Sequence, residues 1–156
     1  MLLREVPAVR IGLSLGSLRP GVRKRLMPID GAHPLSEVLV ALGEHTRVSG
    51  HAPMWAYTLL AGENDAEEDA EALSALALSF GEKYGKMPRI SLIPYNAAPG
   101  LAFERSPALL GFRAQLIERG VGAIIRYSGG FDVGAACGQL SRGEGIHTRR
   151  TKSEPA

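Results

Sequence analysis

The chain has 156 residues, a formal net charge of +2, and 45% hydrophobic against 22% charged residues. This balance is typical of an ordinary globular protein with one buried core. No apolar run approaches the length of a membrane helix, so the sequence predicts no membrane contact and a cytoplasmic location. The single cysteine, Cys137, excludes an internal disulfide and a self-contained cysteine-rich metal site.

The first half of the chain predicts alternating strands and helices. Residues 9–15 alternate apolar with small or polar side chains, which indicates a strand, and residues 22–27 predict one helical turn. Apolar residues within 35–42 recur at helical spacing, and Gly50 is a suitable helix end. Residues 54–60 are apolar, aromatic and β-branched, and they predict a second strand.

The second half repeats this alternation. Asp65 followed by Glu68 predicts a capping box, which explains the acidic cluster there without invoking a metal site. The stripe that this helix would bury is Leu73, Leu76, Ala77 and Phe80, before a stop at Gly81 or Gly85. Residues 90–95 predict a third strand, residues 106–120 a capped helix, and residues 121–125 a fourth strand.

Alternation of strands and helices predicts an α/β fold with a mostly parallel sheet of about four strands joined by crossover helices. Four strands are too few for a (β/α) barrel of about eight, so we expect an open half-barrel. Its unpaired edge and apolar concave face would favour a partner half or a homodimer. We expect residues 1–140 to form this partial barrel and residues 141–156 to be a disordered tail.

Charge is distributed unevenly along the sequence. The basic residues near the two ends are Arg4, Arg10, Arg19, Arg23, Lys24 and Arg25, and then Arg142, Arg149, Arg150 and Lys152. Acidic residues concentrate between residues 63 and 71. Basic ends favour contact with phosphates, and the alternative is solvated surface. For Arg23, Lys24 and Arg25 the two readings are RNA phosphate contact and an exposed helix face.

Four strings of residues carry a more specific signal. They are Ile11–Leu15 with Leu26–Ile29, Tyr57–Asp65, Leu92–Asn96 with Pro99–Gly100, and Arg126–Leu140, which contains Ala-Ala-Cys-Gly-Gln-Leu around Cys137. In this order and at these separations they resemble the C-terminal half of the catalytic domain of RlmN/Cfr-type radical-SAM RNA adenine-C2 methyltransferases. The resemblance implies an open half of a radical-SAM partial barrel and a protein that methylates ribosomal or transfer RNA.

The resemblance also implies roles for individual residues. Cys137 stands where the family carries the methyl group in transit to carbon 2 of adenine. Ser14, Leu15 and Gly16 stand where the family's Ser-Leu-His lines the S-adenosylmethionine pocket, so Gly16 replaces a histidine. Asn96 stands where an asparagine contacts S-adenosylmethionine. Without the resemblance, Asn96 is more typical of a turn, Ser14 of a strand end, and Cys137 of a small buried residue.

Several residues depart from the family pattern. The family holds a 4Fe–4S cluster on a Cys-x-x-x-Cys-x-x-Cys loop and uses a second cysteine to resolve the protein–RNA adduct, and these 156 residues contain neither. Ala56 replaces an acid and Glu63 a valine. Gly129, Phe131 and Gly134 replace an arginine and two aspartates.

Three hypotheses follow. In the first, the chain is the C-terminal portion of a radical-SAM methyltransferase and acts with a complementary N-terminal half. In the second, it is a non-catalytic relative that binds RNA, S-adenosylmethionine or a partner protein. In the third, it is an inert remnant. The sequence does not choose the RNA or the base.

Overall fold

The computed structural model describes residues 9–97 and 100–126. Its strands are β1 (Gly12–Ser14), β2 (Met54–Leu59), β3 (Arg89–Pro94) and β4 (Ala123–Ile125). Its α-helices are α1 (Pro20–Leu26), α2 (Leu35–Ser49), α3 (Glu67–Tyr84) and α4 (Leu109–Glu118), and a 3-10 helix spans Pro28–Gly31. No helix in these two ranges is both long enough and apolar enough to cross a membrane.

The four strands form one parallel sheet in the order β1-β2-β3-β4. Strand order therefore follows chain order, with helices in every connection. The predicted open α/β sheet is confirmed. Since successive right-handed crossovers carry their helices to the same side of a sheet, one face is expected to be covered by helices and the other left free.

The hydrophobic core lies on the helix-covered face. Residues from β2 and β3 and from helices α2, α3 and α4 join in one buried cluster, which includes Trp55, Tyr57, Leu59, Ile90, Leu92, Leu42, Leu73, Ala77, Phe80, Phe112 and Leu116. Trp55 meets Phe80 edge-on at 5.2 Å between ring centroids, and Tyr57 stacks on Phe112 at 5.6 Å. These aromatic contacts pack helices α3 and α4 against the sheet.

The opposite face, which we call the helix-free face, carries the alternate residues of the same strands. One row across the sheet consists of Ser14, Ala56, Ser91 and Ile124, which are paired in register. Thr58 and Ile93 form the next row. Small and hydroxyl-bearing residues thus occupy the centre of this face, so the expectation of a broadly apolar concave face is wrong there. Ile124, at the β4 end, is 64% exposed.

Strand β1 forms one edge of the described sheet. The Ile11 carbonyl accepts from Met54 N, and Leu15 N donates to the Ala56 carbonyl. Because successive residues of a strand point their backbone groups to opposite sides, those of Gly12 and Ser14 point away from β2. This edge has the geometry to accept a further strand.

Helix boundaries largely follow the expected signals, with three exceptions. Helix α1 spans Pro20–Leu26 and not the predicted residues 22–27, because a proline suits the first turn of a helix. Helix α2 ends at Gly50 and helix α3 at Gly85, both at positive φ. Helix α3 begins one residue later than predicted, because Asp69 accepts a hydrogen bond from Ala66 N. Ser106 stands before the first turn of α4 and accepts from Ala108 N at 3.0 Å, so the helix itself starts at Leu109.

Candidate functional site

A cavity of about 290 Å³ lies where the parallel strands end. Its lining residues come from β1 and β2 and from the segments that follow β1, β2 and β3: Ser14, Gly16, Leu26, Met27, Ala56, Thr58, Leu60, Tyr95, Leu101 and Phe103. The segment carrying Leu101 and Phe103 is held at this place because Ala61 N donates to the Glu104 carbonyl. The carboxyl ends of parallel strands are where α/β proteins usually place their ligands.

Two of the predicted cofactor residues, Ser14 and Gly16, line this cavity. Ser14 is the exposed last residue of β1. Gly16 has φ +67°, a conformation that other residues rarely adopt, and a Cβ at this position would lie 2.6 Å from the Met27 sulfur. Glycine at this position therefore lets the Met27 side chain pack directly against the backbone.

The other two predicted cofactor residues lie beside the cavity and do not line it. The Leu15 side chain is fully buried in the core, and its carbonyl accepts a hydrogen bond from Arg23. Asn96 follows β3, is 8% exposed, and makes no side-chain hydrogen bond to the described residues. Contact of either residue with a cofactor stays a prediction.

A residue that the sequence did not single out, Asn64, organises the strand ends. Its side chain is fully buried, donates to the Gly16 carbonyl at 2.6 Å and the Thr58 carbonyl at 2.9 Å, and accepts from Leu60 N at 2.8 Å. The end of β1 is thereby tied to the end of β2. The Gly-Glu-Asn-Asp string that follows a predicted strand could have indicated this role, because a buried asparagine side chain needs hydrogen-bond partners.

Arginines of the first segment are engaged in internal ion pairs. Arg19 makes a bidentate pair with Asp69, at 2.9 and 3.0 Å, and the Asp69 side chain is 1% exposed. Arg23 is 4% exposed and contacts Asp30 at 2.6 Å. Arg25 pairs with Glu63. The interpretation of Arg23 as an RNA phosphate contact is therefore wrong, since its guanidinium is buried inside the fold.

Two tyrosines, the fully buried Tyr57 and the half-buried Tyr95, differ in how their hydroxyls are satisfied. Tyr57 Oη donates to the Asn64 carbonyl at 2.9 Å, and burial, together with the nearby Asp69 carboxylate, raises the pKa of Tyr57 well above its ordinary value. Tyr95 lines the cavity, and its ring meets Phe103 edge-on at 6.3 Å. The Tyr95 hydroxyl oxygen is shielded from solvent and has no hydrogen-bond partner among the described residues. Sequence reasoning did not single out Tyr95.

The remaining predicted features lie outside the described residues. These are the methyl-carrier position Cys137, the altered residues Gly129, Phe131 and Gly134, the boundary after residue 140, and the 141–156 tail. In the described ranges, no three histidine, cysteine, aspartate or glutamate side chains come together as a metal site.

Comparison with known proteins gives a consistent result. No protein-family model matches the chain. It is 62% identical to the "probable RNA methyltransferase" of Sorangium cellulosum over 90% of its length, and this match spans 40% of the relative. It is 36% identical to the dual-specificity RNA methyltransferase RlmN of Anaeromyxobacter dehalogenans, over 99% of the chain and 40% of the relative. It is 37% identical to the ribosomal RNA large subunit methyltransferase Cfr of Clostridium botulinum, over 89% of the chain and 41% of the relative.

Solved structures agree with these relatives. A radical SAM methyltransferase from Sphaerobacter thermophilus superposes with a TM-score of 0.79 at 33% identity, over 88% of this chain and 39% of that one. A domain of the pyruvate-formate lyase-activating enzyme from Bacteroides vulgatus shares the fold, with a TM-score of 0.60 at 17% identity, over 80% of this chain and 73% of that one. The chain thus spans about 40% of the curated relatives described here. Relatives of the RlmN/Cfr type and a radical SAM methyltransferase structure thus cover most of this chain, which is similar to the C-terminal portion of those proteins.

Proposed function

We propose that this chain is the C-terminal portion of a radical-SAM RNA methyltransferase, in which the strand-end cavity holds part of S-adenosylmethionine and Cys137 accepts its methyl group. The observation that carries the proposal is the cavity at the carboxyl ends of the parallel strands, with Ser14 and Gly16 in its wall. In a chain 62% identical to an RNA methyltransferase, this location supports a cofactor site.

The residues present suit S-adenosylmethionine better than they suit a 4Fe–4S cluster. The cavity combines Ser14 and Thr58, which carry hydroxyls, with Leu60, Tyr95 and Phe103, a mixture that suits a ligand with polar and aromatic parts. Its volume of about 290 Å³ is just below the usual range of ligand pockets, about 300–1,000 Å³. The wall described here therefore suits one part of the cofactor. S-Adenosylmethionine would supply an electrophilic methyl group.

The iron–sulfur cluster does not fit these residues. Cluster ligation needs several thiolates, and the 156 residues contain one cysteine. Any cluster would have to be held by residues other than these.

One step can be assigned to the chain's own cysteine. The Cys137 thiol loses its proton to solvent, and the thiolate sulfur attacks the methyl carbon of the sulfonium. A new sulfur–carbon bond forms as the old one breaks, and S-adenosylhomocysteine leaves with the electron pair. No oxidant or reductant is needed.

Intact-mass spectrometry tests this step directly. The full chain is incubated with S-adenosylmethionine, and a Cys137→Ala variant is the control. We expect the wild type to gain the mass of one added methyl group at Cys137 and the variant to gain nothing. Unchanged mass, together with measurable S-adenosylmethionine binding, would favour the second candidate function, binding without transfer. The observation favouring that candidate is Gly16, which stands where the family has a histidine and has no side chain to offer a ligand.

RNA and a complementary half are proposed as partners. The exposed β1 edge supports strand pairing with the portion that the longer relatives have and this chain does not match. Co-expression with the N-terminal portion of the Sorangium relative tests this, with co-purification as the expected result. A chain that instead forms a stable homodimer by light scattering would contradict it. RNA binding is expected to weaken steeply with salt if phosphates are contacted.

A further inference from the structure

The backbone that follows β1 is held by two side chains from other parts of the fold. Leu15 and Gly16 come directly after β1, and their carbonyls belong to consecutive peptide groups. The Leu15 carbonyl accepts a hydrogen bond from the guanidinium of Arg23, on helix α1. The Gly16 carbonyl accepts one at 2.6 Å from the side chain of Asn64, which lies between β2 and α3. Because peptide groups are planar, these two donors fix the orientation of two adjacent peptide planes.

Both donors are buried, so water does not compete for these carbonyls. Arg23 is almost completely buried and Asn64 is completely buried. Arg23 is itself held, because its Nε donates to Asp30 at 2.6 Å, and Asp30 accepts from Leu35 N at the start of helix α2. A buried guanidinium is costly to desolvate, so a neutral side chain would satisfy one carbonyl at a lower cost. The cost is better explained by the placement that Arg23 secures than by a gain in stability.

The backbone held in this way is part of the wall of the strand-end cavity. Gly16 lines the cavity, and so does Met27, whose sulfur lies 3.5 Å from Arg23 Nη1 as a hydrogen-bond acceptor. The Met27 sulfur also lies 2.6 Å from where a Cβ of Gly16 would be. Arg23 and Asn64 do not line the cavity themselves. They can therefore affect a ligand there only through the residues that they hold.

We infer that Arg23 and Asn64 are positioning residues of the proposed S-adenosylmethionine site, and that they act by holding the Leu15 and Gly16 carbonyls in place. This inference rests on the proposed function and adds to the site two residues that do not touch the ligand. A wall that is fixed before the ligand arrives loses less conformational entropy on binding. Loss of either donor should loosen the wall on its β1 side and weaken binding.

Calorimetric titration of the full chain with S-adenosylmethionine, well below the melting temperature of each variant, tests the inference. Arg23→Lys keeps the charge, but an ammonium lacks the planar fork with which arginine reaches several acceptors at once. We expect this variant to bind about tenfold more weakly, a typical effect of removing an outer residue that orients a binding site. Asn64→Ala should weaken binding at least as much, since the Gly16 carbonyl loses its donor. Asn64→Ser, whose side chain is too short to reach that carbonyl, replaces it if Asn64→Ala does not fold.

Two controls separate positioning from a general loss of stability. Arg113 also donates to a strand carbonyl, that of Ala123 at 2.8 Å, and both residues lie outside the lining of the cavity. Leu92 is a buried core residue of the helix-covered face. Arg113→Lys and Leu92→Ala should lower the melting temperature and leave the affinity of the folded chain for S-adenosylmethionine unchanged.

Each result separates the inference from the proposed function. Wild-type affinity in Arg23→Lys or in the Asn64 variant overturns the role of that residue and leaves the cofactor site standing. Equal weakening in the two controls overturns the inference as a whole, because that pattern reports a general disturbance of the fold. Absence of binding by the folded wild type overturns the cofactor site itself, and the inference with it.

Discussion

The two faces of the sheet are built from the same strands and differ in nearly every property. On the helix-covered face, Trp55, Tyr57 and Leu92 are fully buried in aromatic and aliphatic contacts. On the helix-free face, the neighbouring positions Ala56, Thr58 and Ser91 are small or carry hydroxyls. Along β2 and β3, the residues on the helix-covered face therefore stabilise the fold. The residues that alternate with them are smaller and leave a cavity at the strand ends.

This contrast shows where stability and binding are separated in the molecule. Large apolar side chains contribute by removing area from water, and the three long helices supply the partner surface for only one side. The other side carries polar groups, at Ser91 and Tyr95, that form no hydrogen bond within the part of the chain that the structure describes. Substitutions on the two faces should accordingly have different consequences, and adjacent residues provide the sharpest comparison.

The largest difference is expected between Leu92 and its neighbour Ser91. Leu92→Ala should lower the free energy of unfolding by about 2–5 kcal/mol, through lost burial and a residual cavity. Ser91→Ala should change it by less than about 0.5 kcal/mol or raise it, since the Ser91 hydroxyl has no partner in residues 9–97 and 100–126. Urea unfolding of both variants measures this. Equal losses would show that the two faces contribute alike.

The next comparison concerns two buried asparagines at the strand ends. Asn64→Ala leaves the Leu60 N–H and the Gly16 and Thr58 carbonyls without their hydrogen-bond partner. This substitution should lower the free energy of unfolding by about 2–4 kcal/mol. Asn96→Ala should cost less than about 1 kcal/mol, because its side chain makes no such bonds. Thermal and urea unfolding give both values. A larger loss for Asn96 would contradict the assignment of Asn64 as the residue that joins β1 to β2.

A smaller effect is expected at Gly16. Gly16→Ala forces a side chain into the left-handed region and against Met27, which should destabilise the chain by about 1–2 kcal/mol. Gly111→Ala, on helix α4, is the control, because a Cβ at Gly111 would have no neighbouring atom within 4 Å. It should stabilise the chain by up to about 1 kcal/mol. If Gly16→Ala is neutral, the close approach of Met27 does not constrain this turn.

The smallest effect is a loss of stability at alkaline pH, caused by Tyr57. Burial raises the pKa of Tyr57, so the folded chain keeps a proton that the unfolded chain loses. Its contribution to stability is therefore complete below the ordinary tyrosine pKa of about 10 and falls above it, by at most about 1.4 kcal/mol per pH unit. Urea unfolding at increasing pH should show a steeper decline for the wild type than for Tyr57→Phe. Identical slopes would contradict this origin.

Much of the fold was predictable because local rules and the tertiary structure agree. Alternation within residues 54–60 and the apolar run at 90–95 identified β2 and β3 to within about a residue, since buried strands demand those side chains. The αL glycine Gly50 ended α2 as expected, and the stop of α3 fell on Gly85 of the two glycines considered. The resemblance to the family was predictable because four of its sequence strings are present in this chain, in the same order.

The sequence by itself determined the α/β class, the mostly parallel sheet and the resemblance to a family, because these depend on periodicity and on strings of residues along the chain. Only the tertiary structure decided the strand order, the joining of two strand ends by Asn64 and the burial of Arg23 against Asp30. Such roles depend on which distant residues meet, and hydrogen bonding at 2.6 to 2.9 Å is decided by packing that no local pattern encodes.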